Sequence, residues 1–305
     1  MRQKGIQGTM GVEQSFFKEE VRSGFLVTEK RKKVWAVELE ILELFDRICK
    51  KYGLVYYAYY GTLLGAVRHQ GFIPWDDDID VIMFRDDYEK FKAIAAQEVI
   101  SPYYFQNLCT EDMTCGFSKI RDCRTTAIEF EDVSADFNQG IFIDIFPFDS
   151  VCDGINTEFS AIAKIQRALW AAVTKPASIL EEIEQNGFEG GFSAFLLDFM
   201  KKDVTQRVEI FEEFCLSQFG KTKKSNVILY EISDISKSVP NDWLKDIIYL
   251  PFEHLQIPVP AEYDKILTQE YGNWHQFVQG KSAHEGIVFD PDMPYDEYFS
   301  KYIKG

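Results

Sequence analysis

From Thr28 to Gly53 apolar side chains recur at helical spacing. Val34, Trp35, Val37, Leu39, Ile41, Leu42, Leu44, Phe45 and Ile48 form the stripe in "TEKRKKVWAVELEILELFDRICKKYG". Thr28 has the chemistry of an N-cap and Gly53 that of a stop, which predicts a helix over 28–53. Residues 1–24 before it are polar and irregular. After it, "LVYYAYYGT" predicts a strand running into a turn at Gly61, "TLLGAVRH" a short helix, and "IDVIMF" a β-branched strand. "RDDYEKFKAIAAQEV" predicts an amphipathic helix with acids in its first turn. Strands follow at 103–107, 116–122, 125–130 and 140–148. Helices are expected over 157–173 and 192–219, then a proline-bounded hairpin and a last helix within "WLKDIIYLPFEHLQIPVPAEYDKILTQEYGNW".

This order predicts an α/β chain of the α+β kind: a mixed sheet with flanking helices, then a mainly helical second half. The expected divisions are a catalytic core over 25–150, a helical segment over 151–240, and a C-terminal region over 241–305 that packs back on the core.

Against that pattern the stretch "GTLLGAVRHQGFIPWDDDID" stands out, because it crowds Asp76, Asp77, Asp78 and Asp80 together. Like charges so close repel unless water or a cation separates them. If Asp78 and Asp80 lie on one strand, both carboxylates leave the same face with Cα atoms ~7 Å apart. Ile79 and Val81 then point to the opposite, apolar face. Oxygen ligands at this density suit Mg2+ or Mn2+. A solvated acidic loop is the competing reading. An apolar strand follows at once, which disfavours it.

"GIFIDIFPF" is apolar except for Asp144, and a charge on a buried strand needs a partner or a metal. An ion pair with Lys119 or Arg121 is one solution; a third metal ligand is the other. Gly61-Thr62 lies where a strand meets a helix start, a place that favours an anion. In "FSKIRD", Lys119 and Arg121 share a strand face, suited to a diphosphate or to an ordinary exposed surface. Arg68 and His69 lie between the glycine turn and the aspartates, as phosphate contact and general base or as loop supports. Trp75 has the ring to stack on a base, although a tryptophan after Pro74 more often packs. His284, in "SAHEGIVFD", is a further candidate from the C-terminal region.

Composition narrows the partners. Across 305 residues, Lys plus Arg number 33 and Asp plus Glu 49, giving a net charge of −16. Such a chain is a poor general binder of nucleic acid, so phosphate must be held locally or through a metal. The six cysteines include no C-x-x-C pair and are read as reduced; Cys109, Cys115 and Cys123 match no common zinc spacing. No signal-like start and no apolar run of ~18 residues is present, so the expectation is a cytoplasmic protein without a transmembrane segment.

The central motif, with "KVWAVELEILELFDRICKKYGL", "RDDYEKF", "FSKIRD", "GIFIDIFPFD" and "PFEHLQIPVPAEYDKILTQEYG", resembles the LicD family of bacterial phosphocholine transferases related to fukutin-related protein. The likeness covers roughly residues 24–150 and 250–272; the segment 151–240 is not tied to it. It implies a nucleotidyltransferase-like fold of the polymerase-β type. Gly61-Thr62 would be its turn, Asp78 and Asp80 its paired acids, Asp144 the third acid, and Asp76 a further acid of the run. Asp78, Asp80 and Asp144 would hold Mg2+ or Mn2+. The resemblance implies transfer of a phospho-alcohol group, phosphocholine or a relative, from a CDP-linked donor to a hydroxyl of a cell-surface glycan precursor, releasing CMP. Asp76, Asp144 or His69 would accept the proton. A lipid-linked acceptor would bring the protein to the inner membrane face. Where many relatives carry a basic, histidine-containing block, "NWHQFVQGKSAHEG" stands here. The alternatives are a nucleotidyltransferase releasing pyrophosphate, and a cation-binding scaffold without turnover.

Overall fold

The computed structural model describes residues 12–110, 116–128, 137–152, 161–188, 190–227, 237–280 and 286–303. A hairpin of β1 (Glu20–Arg22) and β2 (Phe25–Val27) opens it, where the sequence pattern predicts no element for residues 20–24. Of its six residues only Val27 is buried, so no alternation betrays it. Helix α1 runs Glu29–Tyr52 as predicted. The Thr28 hydroxyl accepts from the Arg31 amide at 3.3 Å, and Gly53 closes the helix in the left-handed region at φ 65°. Trp35, Leu39, Leu42 and Phe45 of its stripe are buried.

Strand β3 (Tyr57–Ala58), helix α2 (Tyr60–His69), strand β4 (Asp80–Phe84) and helix α3 (Arg85–Glu98) follow. Then come β5 (Tyr103–Gln106), β6 (Ser118–Asp122), β7 (Thr126–Ile128) and the long β8 (Ile141–Cys152). Strand β8 is the spine of the sheet. It pairs parallel with β4 and antiparallel with β6, while β3 lies antiparallel on β4 and β5 on β6. It outruns its predicted end at Phe148 because Asp149 and Ser150, polar in sequence, are buried. Arg85 clamps the Asp149 carboxylate with two hydrogen bonds, at 2.7 and 2.6 Å, fixing the start of α3 to the sheet.

The second half is helical, with more breaks than its periodicity suggests. Helices α4 (Ala161–Thr174), α5 (Pro176–Gln185), α6 (Phe192–Phe199) and α7 (Val204–Gln218) replace two predicted helices. Asp203 splits the long one, its side chain accepting from the Gln206 amide at 2.9 Å as a new N-cap. Strands β9 (Lys224–Asn226) and β10 (Val239–Pro240) then extend the main sheet beyond β8. A hairpin of β11 (Ile247–Phe252) and β12 (Leu255–Pro260) leads into α8 (Tyr263–Tyr271). Strand β13 (Val288–Asp290) pairs with β7, returning the C-terminal region to the first half before α9 (Tyr295–Tyr302).

Two apolar cores result. The larger joins α1, α2, α3 and the sheet with β12 and α8; the smaller gathers Leu169, Leu196 and Phe211 against Val151 and Cys152 at the end of β8. No helix among the described residues is long and apolar enough to cross a membrane.

Candidate active site

Strand β4 begins at Asp80, so Asp78 lies in the preceding loop and not, as predicted, on the strand. The loop is pinned at both ends. Arg31 Nη1 and Trp35 Nε1, one turn apart on α1, both donate to the Asp76 carbonyl at 2.9 Å. At the other end the Asp80 amide donates to Thr62 Oγ1 at 2.8 Å, and the Asp80 carbonyl accepts from the Tyr59 amide at 3.0 Å. Both anchors leave the run's carboxylates crowded together. One oxygen from each of Asp76, Asp77 and Asp78 lies within 4.8 Å of the others.

Parallel pairing sets Asp80 beside Asp144, and antiparallel pairing sets Asp144 beside Lys119. A charge row Asp80–Asp144–Lys119 therefore crosses three adjacent strands on one face. All three residues are buried. Lys119 Nζ lies 2.7 Å from Asp144 Oδ1 and 3.5 Å from the Phe142 ring centre. The ion pair weighed from the sequence is thus formed. Burial drives the Asp80 pKa well above the usual carboxylate range; Asp78, Asp144 and Asp76 push it further, and Lys119 opposes them.

Gly61 sits in the first turn of α2, where an added Cβ would come within 2.5 Å of Asp76 Oδ2. The missing side chain makes room for that carboxylate at a helix N-terminus, a placement the helix dipole favours. Tyr60, just before it, sits at φ 42°, a strained value for a side chain of that size.

The remaining predicted residues fall elsewhere. Arg121 is buried, donating to Gln106 Oε1 at 2.7 Å and to the Gly140 carbonyl at 2.9 Å. Arg68, His69 and Trp75 form a second group at the far end of α2. Trp75 is buried there, packed edge-on against Phe277 and close to His69. Arg68 donates to the Trp274 carbonyl at 3.3 Å and lies over the Phe277 ring. Burial, then Arg68 and Arg22, hold the His69 pKa down at about 4, so the ring is neutral near pH 7. His284 lies outside the described residues, as does Cys115; the candidate metal-ligand group among the described residues, Asp76, Asp77 and Asp78, contains no cysteine.

Three further residues were not among the predicted site residues, although Asp77 was noted in the run. Asp77 is buried, 3.6 Å from Arg31 Nη1. Glu38 is buried on α1 within electrostatic reach of the run. Tyr271 ends α8 and is 41% exposed as a whole; desolvation at its hydroxyl, then Glu270, Asp80, Asp76 and Asp78, raise its pKa. The signal for Glu38 was present: it is a carboxyl on the buried stripe of α1.

Crowded hard oxygen donors are the chemistry that suits a divalent cation, and Asp76, Asp78, Asp80 and Asp144 offer them here. The family model described as "LicD/FKTN/FKRP, nucleotidyltransferase domain" matches residues 53–190, which include α2, the aspartate run and β8. The lipopolysaccharide cholinephosphotransferase LicD of Haemophilus influenzae is 30% identical over 250 residues, 77% of this chain and 88% of that protein. Uncharacterized proteins of Rickettsia typhi and Rickettsia prowazekii are 49% and 38% identical over 58 residues, 19% of this chain in each case and 19% and 22% of theirs. With most of its length aligned to the Haemophilus transferase and the family model lying over the aspartate run, the chain belongs to the LicD family.

Proposed function

We propose that this chain is a phosphotransferase that moves a phosphocholine-like group from a CDP-linked donor to a hydroxyl of a cell-surface glycan precursor, on a nucleotidyltransferase-like core. The observation that carries the reading is the row Asp80–Asp144–Lys119 set beside the crowded loop Asp76–Asp78. Its likeness to a lipopolysaccharide cholinephosphotransferase supports the group and the acceptor class.

In this reading Asp78, Asp80 and Asp144, with Asp76 beside them, hold Mg2+. The ion supplies positive charge to the donor diphosphate and to the leaving phosphate. The acceptor oxygen forms a new bond to the choline-bearing phosphorus, the bond from that phosphorus to the bridging oxygen breaks, and CMP departs with that oxygen. Asp76 accepts the hydroxyl proton. Asp144 is less suited because its carboxylate is already engaged by Lys119 at 2.7 Å. His69 lies with Arg68 and Trp75 at the other end of α2. Lys119 orients the Asp144 carboxylate. Tyr271 borders the same run and is a candidate donor to the substrate phosphate.

The test is 31P NMR of the purified protein with Mg2+, CDP-choline and lipopolysaccharide-type acceptors, repeated with EDTA and with the Asp78→Asn and Asp80→Asn variants. CMP should appear only with metal and only with the parent protein. Pyrophosphate released from CTP, with CDP-choline untouched, would replace this reading by nucleotidyl transfer. Near-normal turnover by either variant at saturating Mg2+ would remove the metal assignment.

A further inference from the structure

The corner that leads from α2 into the aspartate run, residues 70–76, is held from the C-terminal half of the chain. Strands β11 and β12 are joined by two residues, Glu253 and His254, because Phe252 pairs with Leu255. The first place of so short a turn favours glycine or asparagine, yet Glu253 occupies it at φ 54°. Its amide donates to the Gln70 carbonyl at 2.9 Å, and its Oε1 accepts from the Phe72 amide at 3.2 Å. Arg22 of β1 grips both oxygens of the same carboxylate, at 2.5 and 3.0 Å. The Glu253 side chain is 8% exposed. At Gly71 an added Cβ would overlap Glu253 Oε1, so a residue without a side chain stands where the carboxylate comes in.

The contacts continue to the aspartates. Phe72 lies flat on Trp35, with ring centres 4.7 Å apart and planes 2° from parallel. The Arg22 guanidinium sits 5.3 Å from the centre of the same indole. Trp35 in turn donates to the Asp76 carbonyl at 2.9 Å. An unbroken run of contacts thus leads from Glu253 through Phe72 and Trp35 to Asp76. A hairpin turn needs no buried carboxylate, and glycine would close this one without backbone strain. What the carboxylate adds is a fixed place for Phe72.

We propose that Glu253 is a positioning residue for the aspartate run: clamped by Arg22, it fixes Phe72, and Phe72 seats the indole that holds Asp76. Its effect on turnover rests on the phosphotransfer reading; the placement of residues 70–76 does not.

The experiment compares the full parent chain with Glu253→Gly, Glu253→Gln, Trp35→Phe and the double variant of Glu253→Gly with Trp35→Phe. Thermal melts confirm that each is folded at the assay temperature. Amide hydrogen exchange read by mass spectrometry should run about tenfold or more faster over residues 70–80 in Glu253→Gly, with β6 and β8 unchanged. In the 31P assay with CDP-choline, kcat should fall on the order of 10- to 100-fold with KM within about twofold, because displaced aspartates fail the reacting phosphate more than the bound donor. Glu253→Gln keeps an oxygen for the Phe72 amide and should recover part of both effects; it carries the test if the glycine variant does not fold. The double variant should lose little more than the worse single one, since both act along one run of contacts. Unchanged exchange over residues 70–80 would overturn the proposal. So would faster exchange with kcat intact, or losses that simply multiply in the double variant. A parent inactive with CDP-choline would bring down the phosphotransfer reading instead, and the exchange data would then decide the positioning claim alone.

Discussion

Replacing Lys119 with methionine tests whether the charge row is a cation site or only a structural ion pair. The substitution keeps most of the stem over Phe142 and removes the positive charge 2.7 Å from Asp144. Both side chains of the pair are 7% exposed, so solvent does little to screen the loss. Breaking a buried pair by removing one partner costs about 3–5 kcal/mol.

In EDTA, Lys119→Met should therefore lower the melting temperature by about 10 °C, taking ~2–4 °C per kcal/mol for a large domain. With saturating Mg2+ a cation beside Asp80 and Asp144 takes over the lost charge, and the deficit should shrink to roughly a third of that. A double variant, Lys119→Met with Asp144→Leu, should be nearly as stable as the parent in EDTA and inactive, because an apolar pair replaces the ionic one. The assay is a thermal melt followed by circular dichroism, with and without metal. An equal loss in EDTA and in Mg2+ would refute the cation argument. A loss under about 1 kcal/mol in EDTA would refute the claim that the pair is effectively buried.

Other outcomes follow from single contacts. Gly61→Ala puts a Cβ where Asp76 Oδ2 now lies; moving that carboxylate by about an ångström should cut kcat/KM on the order of 100-fold, with only a few degrees lost in the melt. Arg85→Met leaves Asp149 buried and unpaired and should cost about 3–5 kcal/mol. Mg2+ should restore none of it, because Asp149 is not part of the aspartate loop. For His69, the folded pKa of about 4 lies below its ordinary 6.5, so folding favours the neutral ring. That contribution is complete above pH 6.5 and is lost as pH falls toward 4. The gap corresponds to ~3 kcal/mol, which screening of a half-buried ring reduces to about 1–2 kcal/mol. Urea melts should show His69→Gln losing less stability than the parent across that window, and identical pH curves would contradict it.

Local chemistry made much of the fold legible. Helix α1 has its ends where Thr28 and Gly53 put them, and β4, β6 and β8 occupy the predicted strands. Contrast with the surroundings singled out Asp144, one acid in an apolar strand. What stayed hidden depends on register, which is non-local. No spacing within a strand reveals that Asp144 faces Asp80 on one side and Lys119 on the other. Spacing also misplaced Asp78, since the alternation rule assumes that the strand has already begun. The hairpin at residues 20–27 buries too little to leave a pattern.

Helix α1 shows how a periodic reading hides a site. Its stripe of Val34, Trp35, Leu39, Ile41, Leu42 and Phe45 explains the helix so completely that Glu38, inside the stripe, looks like an incidental polar residue. Burial reverses that inference. A carboxyl at 1% exposure with an unpartnered oxygen costs more than an apolar side chain packed in its place. The same logic separates Trp35 from its neighbours. Leucine would fill the core as well, but only an indole N–H reaches the Asp76 carbonyl at 2.9 Å. Arg31, Trp35 and Glu38 thus depart from what packing alone requires, and each departure faces the aspartate loop. Their common direction argues that α1 is built to hold the loop in place as well as to fill the core beneath it.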